Sequence, residues 1–130
     1  MKVISYNVNG IRAVIRKDFL QWLELENPDV ICLQEIKAHT DQFNPGLFEN
    51  LGYHCFWYPA QKRGYSGVAI LSKIKPKNVI FGCGEKQFDQ EGRVLQAEFN
   101  NITIFSCYFP SGSSGNLRQS FKLRFLNYFY

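Results

Sequence analysis

Three residues stand out for the chemistry they could support. Asn7 and Asn9 close the short apolar run Val3–Tyr6, and Glu35 closes the run Val30–Leu33 through Gln34. A charge set at the end of a buried segment is seldom left without a partner. A carboxylate beside amide oxygens, with room for water, is the donor set that Mg²⁺ takes, because that ion prefers hard oxygens and keeps several of its own waters. Asn7 and Asn9 taken alone read more simply as turn residues; Glu35 has no such simple reading. Tyr65 and Tyr108 come next, since each abuts a Gly- or Pro-bearing loop where a phenol can reach a site or stack on a base.

Other constellations fail on spacing. Gly64-Tyr65-Ser66-Gly67 is not the G-x-S-x-G elbow of a serine hydrolase, and no well-placed histidine completes a triad. His39 and His54 lack the spacing of a zinc-binding helix and read as surface or loop residues. Gly112-Ser113-Ser114-Gly115 lacks the Lys-Ser/Thr ending of a phosphate-binding loop and reads as a flexible linker. Cys32, Cys55, Cys83 and Cys107 form no C-x-x-C pair, which argues against a zinc site and for free thiols.

The elements that must position Asn7 and Glu35 are legible. Val3–Tyr6 reads as a strand ending in the turn Asn7-Val8-Asn9-Gly10. Ile11, Val14, Ile15, Phe19, Trp22, Leu23 and Leu25 follow helical spacing, and that helix should stop at Asn27-Pro28. Val30–Leu33 is a continuous apolar run suited to a strand covered on both faces. Strand, helix, strand makes a right-handed βαβ unit, which brings the ends of the two strands side by side, where sites gather in open α/β sheets. Further strands are expected at His54–Tyr58, Gly67–Ser72, Val79–Phe81, Arg93–Phe99 and Ile102–Tyr108. Asn100-Asn101 would form a two-residue hairpin turn at positive φ. A last helical pattern runs through Leu117, Phe121, Leu123, Phe125, Leu126 and Phe129.

With 130 residues, the chain should form one domain with a real core. Apolar residues make up 45% and charged ones 20%, which excludes a disordered chain. Val30–Leu33 is the longest wholly apolar run, far too short to span a bilayer, and no secretion signal follows Met1; the expected location is the cytoplasm. A net charge of +4 permits a polyanionic partner without requiring one. Lys62-Arg63 and Lys73, Lys75, Lys77 are its densest positive spots and read as solvated surface.

Five motifs together resemble one family. Ser5-Tyr6-Asn7-Val8-Asn9-Gly10-Ile11-Arg12 is similar to the opening motif of the exonuclease III family of apurinic/apyrimidinic endonucleases, and Leu33-Gln34-Glu35 with Lys37 resembles its second. Gly64–Ile70, Asp89–Val94 and Tyr108–Gly112 resemble three more, in the family's order. The resemblance implies an α/β, DNase I-like fold of two packed sheets with helices outside, and Mg²⁺- or Mn²⁺-dependent phosphodiester hydrolysis in DNA repair. The partner it implies is double-stranded DNA with abasic sites or 3′ ends.

Carried over by position, Glu35 becomes the principal metal ligand, with Asn7 binding metal or orienting the catalytic groups. Asn9 becomes a further ligand, although many members carry Asp there. Tyr108 contacts the scissile phosphate or supports the nucleophile. Arg12, Lys37, Tyr65 and Arg93 face the DNA backbone, and Glu91 anchors Arg93. The family's pattern goes on to a Gly-Asp-Phe-Asn segment and an Asp-His pair that these residues do not contain. Residues 1–130 are accordingly expected to be an incomplete domain, with the second sheet largely missing and possible complementation by a C-terminal half. The alternatives are an inactive DNA-binding remnant and a phosphodiesterase of the same superfamily acting on lipid or inositol phosphates.

Overall fold

In the computed structural model, which describes residues 1–110, 120 and 122–124, Val3–Asn7 form β1 and Val30–Gln34 form β2. The two pair in parallel, Val3 opposite Val30 and Asn7 opposite Gln34. The chain between them is helical, but in two pieces: α1 at Ile11–Ile15 and α2 at Phe19–Glu26. The single helix expected from Ile11 onward breaks at Asp18, which takes φ +65°. A short polar side chain tolerates that conformation. The break swings α2 so that Phe19 and Trp22 meet Tyr6, with ring centroids 5.9 and 5.8 Å away. Asn27, at φ +50°, ends α2 just before Pro28, where the stop was expected.

After the short helix α3 (Gly46–Glu49), strand β3 (His54–Tyr58) pairs antiparallel with β4 (Val68–Ser72), which pairs antiparallel with β2. The first sheet is thus ordered β1-β2-β4-β3. The second sheet consists of β5 (Asn78–Phe81), β6 (Val94–Glu98) and β7 (Thr103–Cys107), all antiparallel, with α4 (Lys86–Asp89) between β5 and β6. Helices α3 and α4 were not expected, because four residues are too few for helical periodicity to register. Phe99 N–H donates to the Ile102 carbonyl (2.8 Å), closing the hairpin around Asn100-Asn101. Neither asparagine takes the positive φ assumed for that turn.

Alternation along β2 and β4 builds two cores at once. Ile31, Leu33, Ala69 and Leu71 pack with Phe19, Leu23 and Phe48 under the helices. Val30, Cys32, Val68 and Ile70 pack against Leu95, Ala97, Phe99 and Ile104 of the second sheet. The run Val30–Leu33 is therefore covered on both faces, as its composition required. Three strands of the second sheet are present and lie over β2 and β4. Val3, Ser5 and Asn7 of β1, on the same face, stay exposed.

All four cysteines are free. Burial pushes the Cys32 and Cys55 thiols up to about 12 and Cys107 to about 11. No described helix is long and apolar enough to cross a membrane. The Ser111–Gly115 loop and most of the last helical pattern lie outside the described residues; within it, Lys122–Arg124 are helical.

Candidate active site

The parallel ladder does not stop where β1 and β2 end. Val8 N–H donates to the Gln34 carbonyl (3.0 Å), Gly10 N–H to that of Glu35 (2.7 Å), and Ile11 N–H to that of Ile36 (2.9 Å). On the other side, Ile36 N–H reaches the Gly67 carbonyl (3.1 Å) and Lys37 N–H that of Ser66 (2.9 Å). Segments 7–11, 34–37 and 66–67 are thereby locked side by side at one end of the first sheet. A Cβ on Gly67 would lie 2.7 Å from Ile36 Cγ1, so only glycine permits this approach.

Backbone strain gathers in the same place. Six non-glycine residues among those described take positive φ, and four of them are here: Asn9 (47°), Glu35 (54°), Lys37 (53°) and Ser66 (49°). For Glu35 and Lys37 this costs roughly 1–2 kcal/mol each. Such strain persists where surrounding hydrogen bonds over-determine the backbone, and it marks sites where side-chain direction matters.

The second sheet supplies the facing wall. Tyr108 follows β7 and Arg93 precedes β6; Tyr108 N–H donates to the Arg93 carbonyl (2.9 Å), and Arg93 Nη1 donates back to the Tyr108 carbonyl (3.0 Å). The guanidinium carbon sits 5.1 Å from the centre of the Tyr108 ring. The Tyr108 hydroxyl donates to Glu35 Oε1, joining the two sheets through their candidate residues. Burial first, and the hydrogen bond to Glu35 second, push the Tyr108 phenol up to about 12, so it is a proton donor at neutral pH.

Arg93, expected at the DNA-facing surface, is 1% exposed and lies inside the protein. Its Nε and Nη2 donate to Glu91 Oε1 at 2.9 and 2.7 Å, and Nη2 lies 3.2 Å from the Tyr65 hydroxyl. A buried guanidinium needs such partners to offset its desolvation. Gly92, between Glu91 and Arg93, passes close against the Tyr58–Ala60 backbone, where a Cβ would stand 2.5 Å from the Tyr58 carbonyl oxygen. Half-buried Tyr65 turns its hydroxyl inward to this pair, while Lys62 Nζ sits 5.4 Å over its ring.

Asn9 Oδ1 accepts from Lys37 Nζ at 2.6 Å, which ties the first strand's turn to the segment after β2. Exposed Asn7 accepts from Asn9 N–H through Oδ1 (3.0 Å) in a local turn. Beside them, Gly10, Arg12, Ala13, Arg16, Lys37 and Gly64 line a groove of about 380 Å³. Arg12 reaches the Lys37 carbonyl from Nη2 (3.4 Å). Arg16, which caps the C-terminus of α1, was not among the expected site residues; its i, i+4 spacing from Arg12 was the available signal, bringing both guanidiniums to the same side of the helix end.

A divalent ion fits this donor set. Glu35 commits Oε1 to Tyr108 and leaves Oε2 without a hydrogen-bond partner among the described residues, one strand from the Asn7 amide. The described residues hold no cluster of three or more His, Cys, Asp or Glu. A larger groove, of about 580 Å³, lies at the far end of the sheets around His54, Lys75 and Lys77, remote from Glu35.

A mixed sheet packed on an antiparallel one, with outer helices and a carboxylate at the ends of parallel strands, is the architecture of a class of metal-dependent phosphoesterases. The chain belongs to the Endonuclease/Exonuclease/phosphatase family, which it matches over residues 4–129. It is 45% identical over 125 residues to an exodeoxyribonuclease of Bacillus subtilis, covering 95% of this chain and 48% of that protein. Its fold matches an AP endonuclease from Archaeoglobus fulgidus (TM-score 0.88, 30% identity) over 100% of this chain and 49% of that one. It also matches a Neisseria 3′ phosphatase solved with a product DNA hairpin (TM-score 0.86, 28% identity), over 99% of this chain and 49% of the other. The fold is thus DNase I-like, as expected, and the chain spans about half the length of the relatives it matches.

Proposed function

We propose that the protein hydrolyses phosphodiester bonds in double-stranded DNA, incising at abasic sites or removing material from 3′ ends, with Mg²⁺ or Mn²⁺ bound at Glu35 and Asn7. The observation that carries this reading is the hydrogen bond from Tyr108 to Glu35, which joins the two sheets, with Lys37, two residues on from Glu35, lining the groove that holds Arg12 and Arg16. A divalent ion bound there would supply charge stabilisation for the phosphoryl oxygens and the leaving oxygen. Glu35 would hold it, and Asn7 would fix its orientation. Tyr108, whose single O–H is donated to Glu35, would hold that carboxylate in place beside the scissile phosphate. Arg12, Arg16 and Lys37 would seat the flanking backbone, and the ring of Tyr65 would carry Lys62 at the rim.

Activating the attacking water needs a base of suitable pKa. We assign that base to a complementing C-terminal half of the same fold, in keeping with relatives about twice this length. Free thiols suit a cytoplasmic location for the whole. The test is cleavage of a duplex carrying one abasic site by the protein as its own gene encodes it, with and without EDTA. Metal-dependent incision abolished by Glu35→Ala supports the proposal. Salt-sensitive binding without cleavage would replace it with the DNA-binding reading. Preference for a soluble inositol phosphate would replace it with the other phosphodiesterase reading.

A further inference from the structure

From the second wall of the site we infer that Arg93 is a positioning residue, clamped by Glu91 and Tyr65, whose task is to hold Tyr108 against Glu35. This rests on the phosphodiesterase reading above and assigns a duty to a residue that burial removes from the substrate surface. Arg93 grips Tyr108 at three points: the backbone carbonyl through Nη1 (3.0 Å), the backbone N–H through its own carbonyl (2.9 Å), and the ring face at 5.1 Å. The guanidinium is itself oriented by two bonds to one carboxylate oxygen of Glu91 and by the Tyr65 hydroxyl. A planar fork can meet all of these partners in one geometry, and an ammonium cannot.

The consequence reaches the candidate metal ligand. Tyr108 occupies Glu35 Oε1, and Oε2 would then be the oxygen that holds the ion. If Tyr108 is released, the carboxylate loses its fixed direction. Metal affinity should then depend on Arg93, although no Arg93 atom is a ligand.

Arg93→Lys, Tyr108→Phe and the double variant, each in the full natural protein, separate the possibilities. In Arg93→Lys, kcat should fall on the order of 10- to 100-fold, the cost of a misplaced group, while KM stays within about twofold. The Mn²⁺ dissociation constant of the DNA-free protein should rise by the same factor in Arg93→Lys, Tyr108→Phe and the double variant. DNA binding in EDTA should keep its salt slope in Arg93→Gln; a slope lower by about 1 would make Arg93 a phosphate contact and overturn the inference. Additive effects of the two single variants on metal affinity would overturn it as well.

Hydrogen exchange keeps this inference separable from the nuclease reading. The Tyr108 amide should exchange at least ~10-fold faster in Arg93→Lys whether or not the protein cleaves DNA, and unchanged protection there refutes the clamp. Where Arg93→Gln fails to fold because it strands the Glu91 carboxylate, the paired variant Glu91→Gln with Arg93→Gln removes both charges and carries the salt-slope measurement instead.

Discussion

The two walls of the site are built on opposite principles. Tyr108, Arg93, Glu91 and Tyr65 are buried or half-buried and tied to one another through side chains. Asn7, Asn9 and Arg12 are exposed, Lys37 is half-buried, and this wall is held by backbone ladders with Asn9, Glu35 and Lys37 in left-handed conformations. One wall is rigid because its polar groups leave water only in mutual company. The other keeps its cations at the surface, where a polyanion can meet them. Glu35 stands at the seam, with its backbone in the strained wall and one oxygen bound to the rigid one.

Removing the seam should have the largest effect. Glu35→Ala is expected to lower metal-dependent turnover by roughly 10³-fold, the few kcal/mol a bound ion supplies, with little change in the denaturant midpoint. A stability loss matching that of a core variant would place Glu35 in the rigid wall instead. Next comes Glu91→Ala, which leaves the buried Arg93 charge unpaired and should cost about 3–5 kcal/mol in chemical unfolding. The exposed bidentate pair Arg63–Asp41 is the control, and Asp41→Asn should leave the unfolding midpoint unchanged. Equal responses from the two pairs would erase the contrast between buried and exposed charge.

On the open wall, Arg12→Ala should weaken DNA binding uniformly across sequences and lower the salt slope by about 1, without affecting folding. Arg16→Ala, in the same groove, should behave alike. A loss confined to kcat for either would move it to the rigid wall.

The smallest effect concerns pH. Cys32 and Cys55 titrate near 9 when unconstrained and are raised to about 12 by burial, so the folded state holds their protons longer than the unfolded chain does. Their contribution to stability is intact below pH 9 and is lost as pH rises toward about 12. The thermal midpoint should therefore decline through this window, and Cys32→Ala should flatten the decline. A midpoint constant from pH 8 to 11 would contradict the burial of both thiols.

Much of the fold was legible because it rests on local patterns. The βαβ unit, the two-faced burial of Val30–Leu33 and the stop at Asn27-Pro28 follow from runs, periods and the sterics of proline. Strands β3, β4 and β5 lie within a residue of their expected bounds. What escaped notice was conformational: the break at Asp18 interrupts a pattern whose apolar spacing continues across it, and α3 and α4 are too short to show a period.

For the site, the residue types Asn7, Glu35 and Tyr108 and their order along the chain were in the sequence, because chemistry depends on which groups are available and strand ends are visible as changes of composition. Which groups touch was decided only by tertiary structure. Nothing local distinguishes Arg93 from Arg12, yet one is buried on Glu91 and the other lines an open groove. Nothing local says that the Asn9 oxygen belongs to Lys37, 28 residues away. A charged side chain takes its role from the partners that compensate its desolvation, and those partners come together only when the two sheets pack.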